Sequence, residues 1–498
     1  MRGADELTRA GTLQPTLAPR NAEVDRALER VGGAPVRAGN AFTLLRNGHG
    51  AYHDWLDAIR RARHWIHLEN YIIRADPVGE AFAAALADRA AAGVSVRLLY
   101  DWYGSWGTPR AFWRRLRRAG VEVRAMSPPR LAEPLSALRR DHRKLLAVDG
   151  RYASAGGVCI AEAWLERSAA NGLPYRDTAV SVRGPAVADL ERAFACAWAT
   201  RGAPLPPHER PDPSSIPPAG DAAVRVVIQE PGRMRSVRVL ELLCASVRRR
   251  LWMADAYFVG APVLVQALIA AALDGVDVRL LLPGTYDVPV VGPIARAGYR
   301  PLLRAGVRIW EYAGVMMHAK TTVADGWWAR IGSTNLNPTG LATNWEIDVL
   351  VEDRRAGEWM ERMFEEDLAS AREVRLPRDG AVRDGAPRRR GDSPAEVRGR
   401  PGRVAVTLNT AAQLGTEMIA GERELDRNER RVALVLAGVL LGVALAGARA
   451  PRLVAWPLAG LAGLVGAATL VQAVRPGDRG AGSAAGRRDG ASTPSLHP

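Results

Sequence analysis

The sequence predicts an α/β fold built from two tandem copies of one domain, followed by a two-helix transmembrane hairpin near the C-terminus. Three observations lead to this prediction. The motif His-x-Lys-x-x-x-x-Asp occurs twice, and the segments around it recur in the same order at offsets of 176 to 186 residues. Within each copy, short apolar runs with strand character alternate with stretches of helical periodicity. Two long uncharged segments follow the second copy.

Composition limits the class of protein. The chain has 498 residues and a formal net charge of +15, so we expect an acidic partner, either anionic lipid or nucleic acid. The three cysteines are too few and too widely spaced for a disulfide framework or a zinc site. No cleavable signal peptide is expected in the first twenty residues, because they carry several charges and no apolar core. A small secreted scaffold, a collagen-like chain and a wholly disordered chain are excluded.

The lysines mark the candidate site. Only Lys144 and Lys320 are lysines among the 68 basic residues. A crowded phosphate site can accept a compact ammonium and exclude the planar guanidinium of arginine. Each lysine lies two residues after a histidine and five before an aspartate, in the segments 142–149 and 318–325. Two such coincidences do not arise by chance, so both motifs are candidate catalytic segments.

The coarse elements follow from the same patterns. Residues 80–92 have helical spacing and residues 94–99 strand character. The segments 142–148 and 318–324 alternate like strands, and the Asp-Gly pairs after them are typical of hairpin turns. On a strand the motif His and Lys point to the same face. The motif aspartates, Asp149 and Asp325, lie at the far end, so their role need not be catalytic.

Composition shifts divide the chain. Seven prolines between residues 204 and 218 predict a stiff linker, and the Arg-, Gly- and Pro-rich stretch after residue 375 predicts a disordered basic tether. The predicted segments are an N-terminal extension (1–35), domain 1 (36–203), a Pro-rich linker (204–222), domain 2 (223–375), the tether (376–430), the transmembrane hairpin (431–474) and a disordered tail (475–498).

The hairpin prediction depends on length. At ~1.5 Å per residue, the uncharged runs 432–448 and 453–474 span about 26 and 33 Å, against a hydrocarbon core of about 30 Å. The alternative is a pair of buried core helices. Arginines on both outer flanks place the catalytic domains on the cytoplasmic side of the membrane, although Arg449 and Arg452 in the connecting loop oppose this orientation.

The motif residues suit attack on a phosphodiester. One histidine can act as a neutral nucleophile while the other, protonated, acts as the leaving-group acid, and the two lysines offset the phosphate charge. Small residues let the backbone approach a phosphate, and Ser and Asn side chains add donors. The candidate phosphate ligands are Gly157, Ser333 and Asn335. Asp177 and Glu346 follow the two motifs at matching places and are candidates to orient the histidines, the alternative being solvated surface acids.

The doubled motif, followed by a Gly-Gly or Gly-Ser-x-Asn segment, resembles the phospholipase D superfamily. The flanking segments 66–71, 281–284 and 317–320 are similar to those of bacterial cardiolipin synthases. The resemblance implies two phospholipase D-like domains related by a pseudo-twofold axis, a ping-pong reaction through a phosphatidyl-histidine, and no metal or cofactor. It assigns His142 as the usual nucleophile and His318 as the acid, and it makes Asp149 and Asp325 generally structural. Cys159 departs from the family, because it stands where the first copy should have an asparagine.

The candidate catalytic set is therefore His142, Lys144, Asp149, His318, Lys320, Asp325, Asp177 and Glu346. The expected activity is cardiolipin synthesis by phosphatidyl transfer between two phosphatidylglycerol molecules, with release of glycerol. The alternatives are a phospholipase D or another phosphatidyltransferase, a nuclease, and a non-catalytic lipid-binding scaffold. The expected partners are anionic phospholipid and the bacterial inner membrane, with no nucleic acid. The sequence leaves the oligomeric state open.

Overall fold

The computed structural model describes residues 22–128, 139–165, 174–288, 291–376 and the short strand 383–385. The predicted hairpin, most of the tether and the tail lie outside the described residues. In the part that is described, no helix is both long and apolar enough to cross a bilayer.

Helices and strands alternate along the described chain, as the sequence predicts. The helices are α1 (Ala22–Gly32), α2 (Asn47–Arg61), α3 (Pro77–Ala91), α4 (Arg110–Arg118), α5 (Val187–Ala199), α6 (Arg235–Ser246), α7 (Pro262–Leu273), α8 (Val291–Ala297), α9 (Tyr299–Arg304), α10 (Pro338–Ala342) and α11 (Arg354–Leu368). Short 3-10 turns cover Glu162–Trp164, Pro207–Glu209 and Pro213–Ser215. Helix α3 begins where the Asp76 side chain accepts the Gly79 N–H at 2.9 Å, with a proline in its first turn.

The strands are β1 (Arg37–Arg46), β2 (Trp65–Asn70), β3 (Ser95–Asp101), β4 (Glu122–Met126), β5 (Lys144–Val148), β6 (Tyr152–Gly156), β7 (Thr178–Arg183), β8 (Ala222–Gln229), β9 (Arg250–Ala254), β10 (Asp277–Pro283), β11 (Arg308–Tyr312), β12 (Thr321–Ala324), β13 (Trp328–Gly332), β14 (Glu346–Glu352), β15 (Ala371–Arg375) and β16 (Arg383–Gly385). This content confirms the α/β class.

The order of the strands repeats. From the central antiparallel pair β1–β8, the first half runs β1-β7-β6-β5-β2-β3-β4 and the second runs β8-β14-β13-β12-β9-β10-β11. Adding seven to the number of a strand in the first half therefore gives the strand at the equivalent position in the second half. β15 and β16 extend the second half only. The two halves of the sheet thus have the same topology, which the internal repeat in the sequence anticipated.

The two halves fold onto each other. Strands β6 and β7 lie against β13 and β14, and one apolar core joins both halves with α5 and α11. Small residues such as Ala153, Ala155 and Ala329 line this contact, which lets the strands approach closely. Separate cores lie beneath α2, α3 and α4 in the first half and beneath α6, α7 and α9 in the second. This arrangement brings the two motif strands, β5 and β12, to the seam between the halves.

The hairpin turns after the motifs are confirmed. Asp149 and Gly150 have φ values of 54° and 63°, and Asp325 and Gly326 have 50° and 71°. Positive φ at both central residues is what a type I′ turn requires.

The prediction that the motif strands begin at the histidines is wrong. β5 begins at Lys144 and β12 at Thr321. The physical reason is that each histidine donates its backbone N–H outside the strand ladder. His142 donates to the Trp345 carbonyl at 3.0 Å, and His318 to the Arg176 carbonyl at 2.7 Å. Each motif histidine is therefore tied to the opposite half of the sheet.

A buried histidine holds the predicted linker in place. The ring of His67 on β2 lies between two buried glutamates, 2.5 Å from Glu191 on α5 and 3.0 Å from Glu209 in the linker, and it stacks on Phe194. Burial disfavours the charged ring, but the two carboxylates outweigh it and raise the pKa of His67. From the sequence alone this histidine carried no expected role.

We expect His67→Gln to lower the free energy of unfolding by about 3 kcal/mol below neutral pH, because it removes the cation shared by two buried carboxylates, of which Glu209 keeps an ion pair with Arg97 at 3.2 Å. The stabilisation is fully present below the ordinary histidine pKa of ~6.5 and is lost as pH rises through the raised pKa of the folded state. Urea unfolding across a pH series measures it, with the exposed His64→Gln as the control. A difference from wild type that grows with pH would contradict this account.

Candidate active site

The two motif histidines meet at the seam, and each is oriented by a carboxylate from the other half. His142 Nδ1 lies 3.0 Å from Glu346 Oε2 and 3.0 Å from the Ser333 carbonyl. His318 Nδ1 lies 2.7 Å from Asp177 Oδ2. When Nδ1–H donates to a carboxylate, the lone pair is on Nε2. The arrangement therefore holds each ring with Nε2 available for reaction.

The two lysines place positive charge beside these rings. Both side chains are fully buried. Lys144 Nζ donates to the His142 carbonyl at 2.5 Å, and Lys320 Nζ donates to the His318 carbonyl and lies 3.1 Å from His318 Nε2. Within the described residues, neither ammonium has a carboxylate at ion-pair distance. Because a buried cation without a counter-ion is costly, these two charges fit a site that binds an anion.

Burial lowers the pKa of both motif histidines, and the pKa of His142 is lowered more than that of His318. For His142, the positive charges of Lys144 and Lys320 lower it further. For His318, Lys320 adds to the effect of burial, while Asp177 opposes it. His142 is therefore neutral near pH 7, which is the state a nucleophilic imidazole needs.

The pKa values of the two orienting carboxyls are shifted in opposite directions. Burial raises the pKa of Glu346 to about 7, with Lys144 acting against it. At Asp177 burial also acts upward, but His318 and Lys320 outweigh it, and the pKa falls below its ordinary value. Burial lowers the pKa of Lys320 to about 8. Asp177 is thus ionised and favours the charged form of His318, although the net shift still lowers the pKa of that histidine, whereas Glu346 holds the neutral His142.

The candidate phosphate-binding segments are asymmetric. Ser333 Oγ donates to Glu346 Oε2 at 2.5 Å, so its hydroxyl is engaged with the carboxylate. At Gly157, a Cβ would lie 2.1 Å from Asp177 Oδ1. The glycine is therefore needed to make room for the carboxylate that orients the second histidine.

Asn335 lies after Ser333, and Cys159 takes the equivalent place in the first half. The Asn335 Oδ1 is buried and makes no hydrogen bond within the described residues. Cys159 is fully buried, and its burial raises the pKa of the thiol. The first half therefore presents a neutral thiol where the second half presents an amide.

The motif aspartates lie away from the histidines. Asp149 accepts the backbone N–H groups of residues 63, 64 and 65, each at 2.8 Å, and Asp325 accepts those of residues 248, 249 and 250 at the same distance. Each aspartate thereby binds the backbone at the start of the neighbouring strand, β2 for Asp149 and β9 for Asp325. At about 3.3 Å per residue, the five steps along the chain from lysine to aspartate separate them by roughly 16 Å. These contacts hold the motif strands in place without reaching the histidines.

Three aromatic residues at the site were not predicted to act there. The Tyr71 ring meets His142 edge-on at 4.7 Å and lies beneath Lys144 Nζ at 4.9 Å. Tyr257 makes the same contacts in the second half, at 6.2 and 6.0 Å. Trp164 donates its indole N–H to Asp177 Oδ2 at 2.8 Å. The two tyrosines occupy equivalent places in the internal repeat, which is the signal that could have found them.

Among the described residues, no group of three or more His, Cys, Asp or Glu side chains is arranged to hold a metal ion.

Comparison with known proteins identifies relatives of this site. The family model for "Cardiolipin synthase, PLD-like domain" matches residues 55–196 and 241–368. Cardiolipin synthase from Geobacillus thermodenitrificans (strain NG80-2) is 34% identical over 339 residues, which is 67% of each chain. Cardiolipin synthase A from Pseudomonas putida KT2440 is 33% identical over 352 residues, 70% of this chain and 72% of the relative.

A solved structure shares the fold. Phosphatidylserine synthase from Haemophilus influenzae Rd KW20 matches 80% of this chain and 99% of its own, with a TM-score of 0.59 and 14% sequence identity. The two stretches matched by the family model together span more than half of the chain and contain both histidine motifs. The chain therefore belongs to the phospholipase D superfamily, in the family of cardiolipin synthase, PLD-like domain proteins.

Proposed function

We propose that this chain is a cardiolipin synthase, which transfers a phosphatidyl group from one phosphatidylglycerol to a hydroxyl of another and releases glycerol. The observation that carries the proposal is the composite site. It combines a neutral histidine, a second histidine beside an ionised carboxylate, and two buried ammonium groups without carboxylate partners in the described part of the chain. Curated relatives that bear the name cardiolipin synthase support the choice of reaction.

In the first step, His142 Nε2 attacks the phosphorus of phosphatidylglycerol. The bond from phosphorus to the glycerol oxygen breaks, and His318 gives a proton to the departing oxygen. The product is a phosphatidyl-histidine and free glycerol. Lys144 and Lys320 stabilise the charge on the equatorial phosphate oxygens.

In the second step, a hydroxyl of another phosphatidylglycerol enters. His318, now neutral, accepts its proton, and the oxygen attacks the phosphorus while the bond to His142 breaks. Cardiolipin leaves and both histidines return to their starting states. Asp177 stabilises the protonated form of His318, and Glu346 keeps the His142 ring in one tautomer.

We also propose the finer layout predicted from the sequence. Two domains, residues 36–203 and 223–375, each supply one motif, and the hairpin at residues 431–474 anchors them on the cytoplasmic side of the inner membrane. The length of the two uncharged runs and the arginines on their outer flanks support this arrangement. An anchor beside anionic lipid would raise the local concentration of substrate.

Incubation of the purified full chain with phosphatidylglycerol in detergent tests the function. We expect cardiolipin and glycerol in equal amounts, and neither from the His142→Ala variant. Phosphatidic acid without cardiolipin would replace the proposal with a phospholipase D. Degradation of DNA without turnover of lipid would indicate a nuclease, and lipid binding without any turnover would indicate a scaffold.

A glycine substitution tests the geometry at Asp177. We expect Gly157→Ala to lower the rate of cardiolipin formation by at least about tenfold, because the added methyl displaces the carboxylate that orients His318. The control is Gly50→Ala in α2, where the nearest atom would be 3.9 Å from the new methyl. Initial rates of both variants measure the effect. Equal rates for Gly157→Ala and wild type would contradict the geometry.

A further inference from the structure

An ordered loop beside the active site exposes large aromatic side chains. Residues 102–108, the aromatic loop, follow β3. Trp106 is 67% exposed and Tyr103 is 54% exposed, and they are the aromatic residues among the exposed large hydrophobic side chains of the described chain. Trp102, half-buried, meets Trp106 edge-on at 4.4 Å. Exposure of this much aromatic surface in one short segment is unfavourable in water unless a partner covers it.

The loop is held firmly despite this exposure. The Asp101 carboxylate accepts the N–H groups of Tyr103 and Gly104 at 3.0 and 2.8 Å. Ser105 Oγ donates to the Tyr71 carbonyl and accepts the Ile73 N–H, both at 3.1 Å. These hydrogen bonds therefore hold the backbone of the loop that carries the two exposed rings.

The same contacts place the loop at the active site. Tyr71 is the residue whose ring meets His142. Asp101 also accepts the N–H of Asp141, the residue before His142, at 2.9 Å. In the sheet, β3 runs parallel to β2, so both strands end on the same side. The last residue of β2 pairs with Lys144, and the loop therefore begins on the side of the sheet where Lys144 lies. The exposed rings thus stand on the rim of the site.

The surroundings of the loop are basic. The Arg140 guanidinium covers the Tyr103 ring at 4.1 Å from its centroid, and the Arg74 guanidinium lies against Gly107. Arg110 begins α4, whose exposed face carries Arg114, Arg117 and Arg118, and also Arg115, which is ion-paired with Glu80. The carboxylate nearest in sequence to Arg74, that of Asp76, is engaged by backbone N–H groups of α3 and residue 162. Aromatic side chains beside an excess of arginine match the interface of an anionic lipid surface.

We propose that the aromatic loop docks the active site onto an anionic lipid surface, with Trp106 and Tyr103 entering the interface and the neighbouring arginines contacting lipid phosphates. This inference rests on the proposed lipid substrate and extends it, because it assigns a second membrane contact in the first half of the sheet. The proposed hairpin would keep the chain near the membrane, and the aromatic loop would orient the active site toward it. Docking here lets a lipid headgroup reach His142 while its acyl chains stay in the lipid.

The test compares two forms of the same substrate with the full chain. Long-chain phosphatidylglycerol is supplied in mixed micelles, and dihexanoyl phosphatidylglycerol is supplied as monomers below its critical micelle concentration. The variant is the double substitution Trp106→Ser and Tyr103→Ser. The matched control is Leu273→Ser, because Leu273 is 70% exposed but ends α7 at the opposite edge of the sheet, before β10 begins.

We expect the double variant to lose about tenfold in turnover of micellar substrate, which corresponds to one large apolar side chain no longer entering the lipid. Turnover of the monomeric substrate should stay within about twofold of wild type, since docking does not act on it. Leu273→Ser should change neither rate.

Two results would overturn the docking proposal. One is equal micellar turnover in wild type and the double variant, and the other is an equal loss on both substrates, which would make the loop part of the site's own structure. A wild-type chain that turns over neither substrate would instead overturn the proposed function, so the two failures are distinguishable.

Discussion

His142→Ala is expected to lose about 10⁴-fold or more in phosphatidyl transfer, because it removes the atom that forms the covalent intermediate. His318→Ala should also be slow with phosphatidylglycerol, but for a different reason: the glycerol oxygen then departs without a proton. We propose this division because burial and two lysines lower the pKa of His142 well below its ordinary value, whereas the pKa of His318 is lowered less, since Asp177 at 2.7 Å opposes burial and Lys320.

A donor with a leaving group that needs no protonation separates the two roles. With phosphatidyl-p-nitrophenol, His318→Ala should recover to within about tenfold of wild type, and His142→Ala should not recover. Release of p-nitrophenol measures both rates, and the exposed His53→Ala serves as the control. Recovery of His142→Ala alone would reverse the assignment.

Lys144→Arg and Lys320→Arg should each lose about 10²-fold in turnover, although the charge is kept, because an ammonium that contacts the phosphate is removed from its place. Both ammonium groups are fully buried and bonded to the carbonyl of the preceding motif histidine. A longer, planar guanidinium cannot occupy that space without displacing the ring.

Steady-state rates on phosphatidylglycerol measure this effect. Arg233→Lys, at a side chain that is 66% exposed, controls for exchange between the two cations in the opposite direction. Near-normal rates in both arginine variants would show that the scarcity of lysine in this chain has no connection with the site.

The repeat predicted that the chain contains two copies of one α/β domain. The doubled motif, the alternating elements and the Asp-Gly turns are local patterns, and the structure reproduces them in strands β5 and β12 and in the turns after them. The matching places of Asp177 and Glu346 also identified them as partners for histidines. The motifs, the turns and the matching carboxylates can all be recognised from the distances between residues along a single copy, and these distances are visible in the sequence.

The crossing of the pairs could not be predicted in this way. Asp177 follows His142 in the chain, yet it orients His318, and Glu346 orients His142. The crossing arises because the two halves fold onto each other at β6, β7, β13 and β14, a contact between residues far apart in sequence. The start of the motif strands was misplaced for the same reason, since each histidine gives its N–H to the opposite half.

The most direct measurement is the mass of the covalent adduct. The His318→Ala chain is mixed with phosphatidyl-p-nitrophenol, quenched in denaturant at mildly alkaline pH, where both the phosphoramidate and the acyl esters survive, and digested with protease. We expect a phosphatidyl group on the peptide that contains His142, and none on that peptide after His142→Ala. An adduct on the peptide that contains residue 318 in the wild-type chain, or turnover with no adduct on any histidine, would contradict the account.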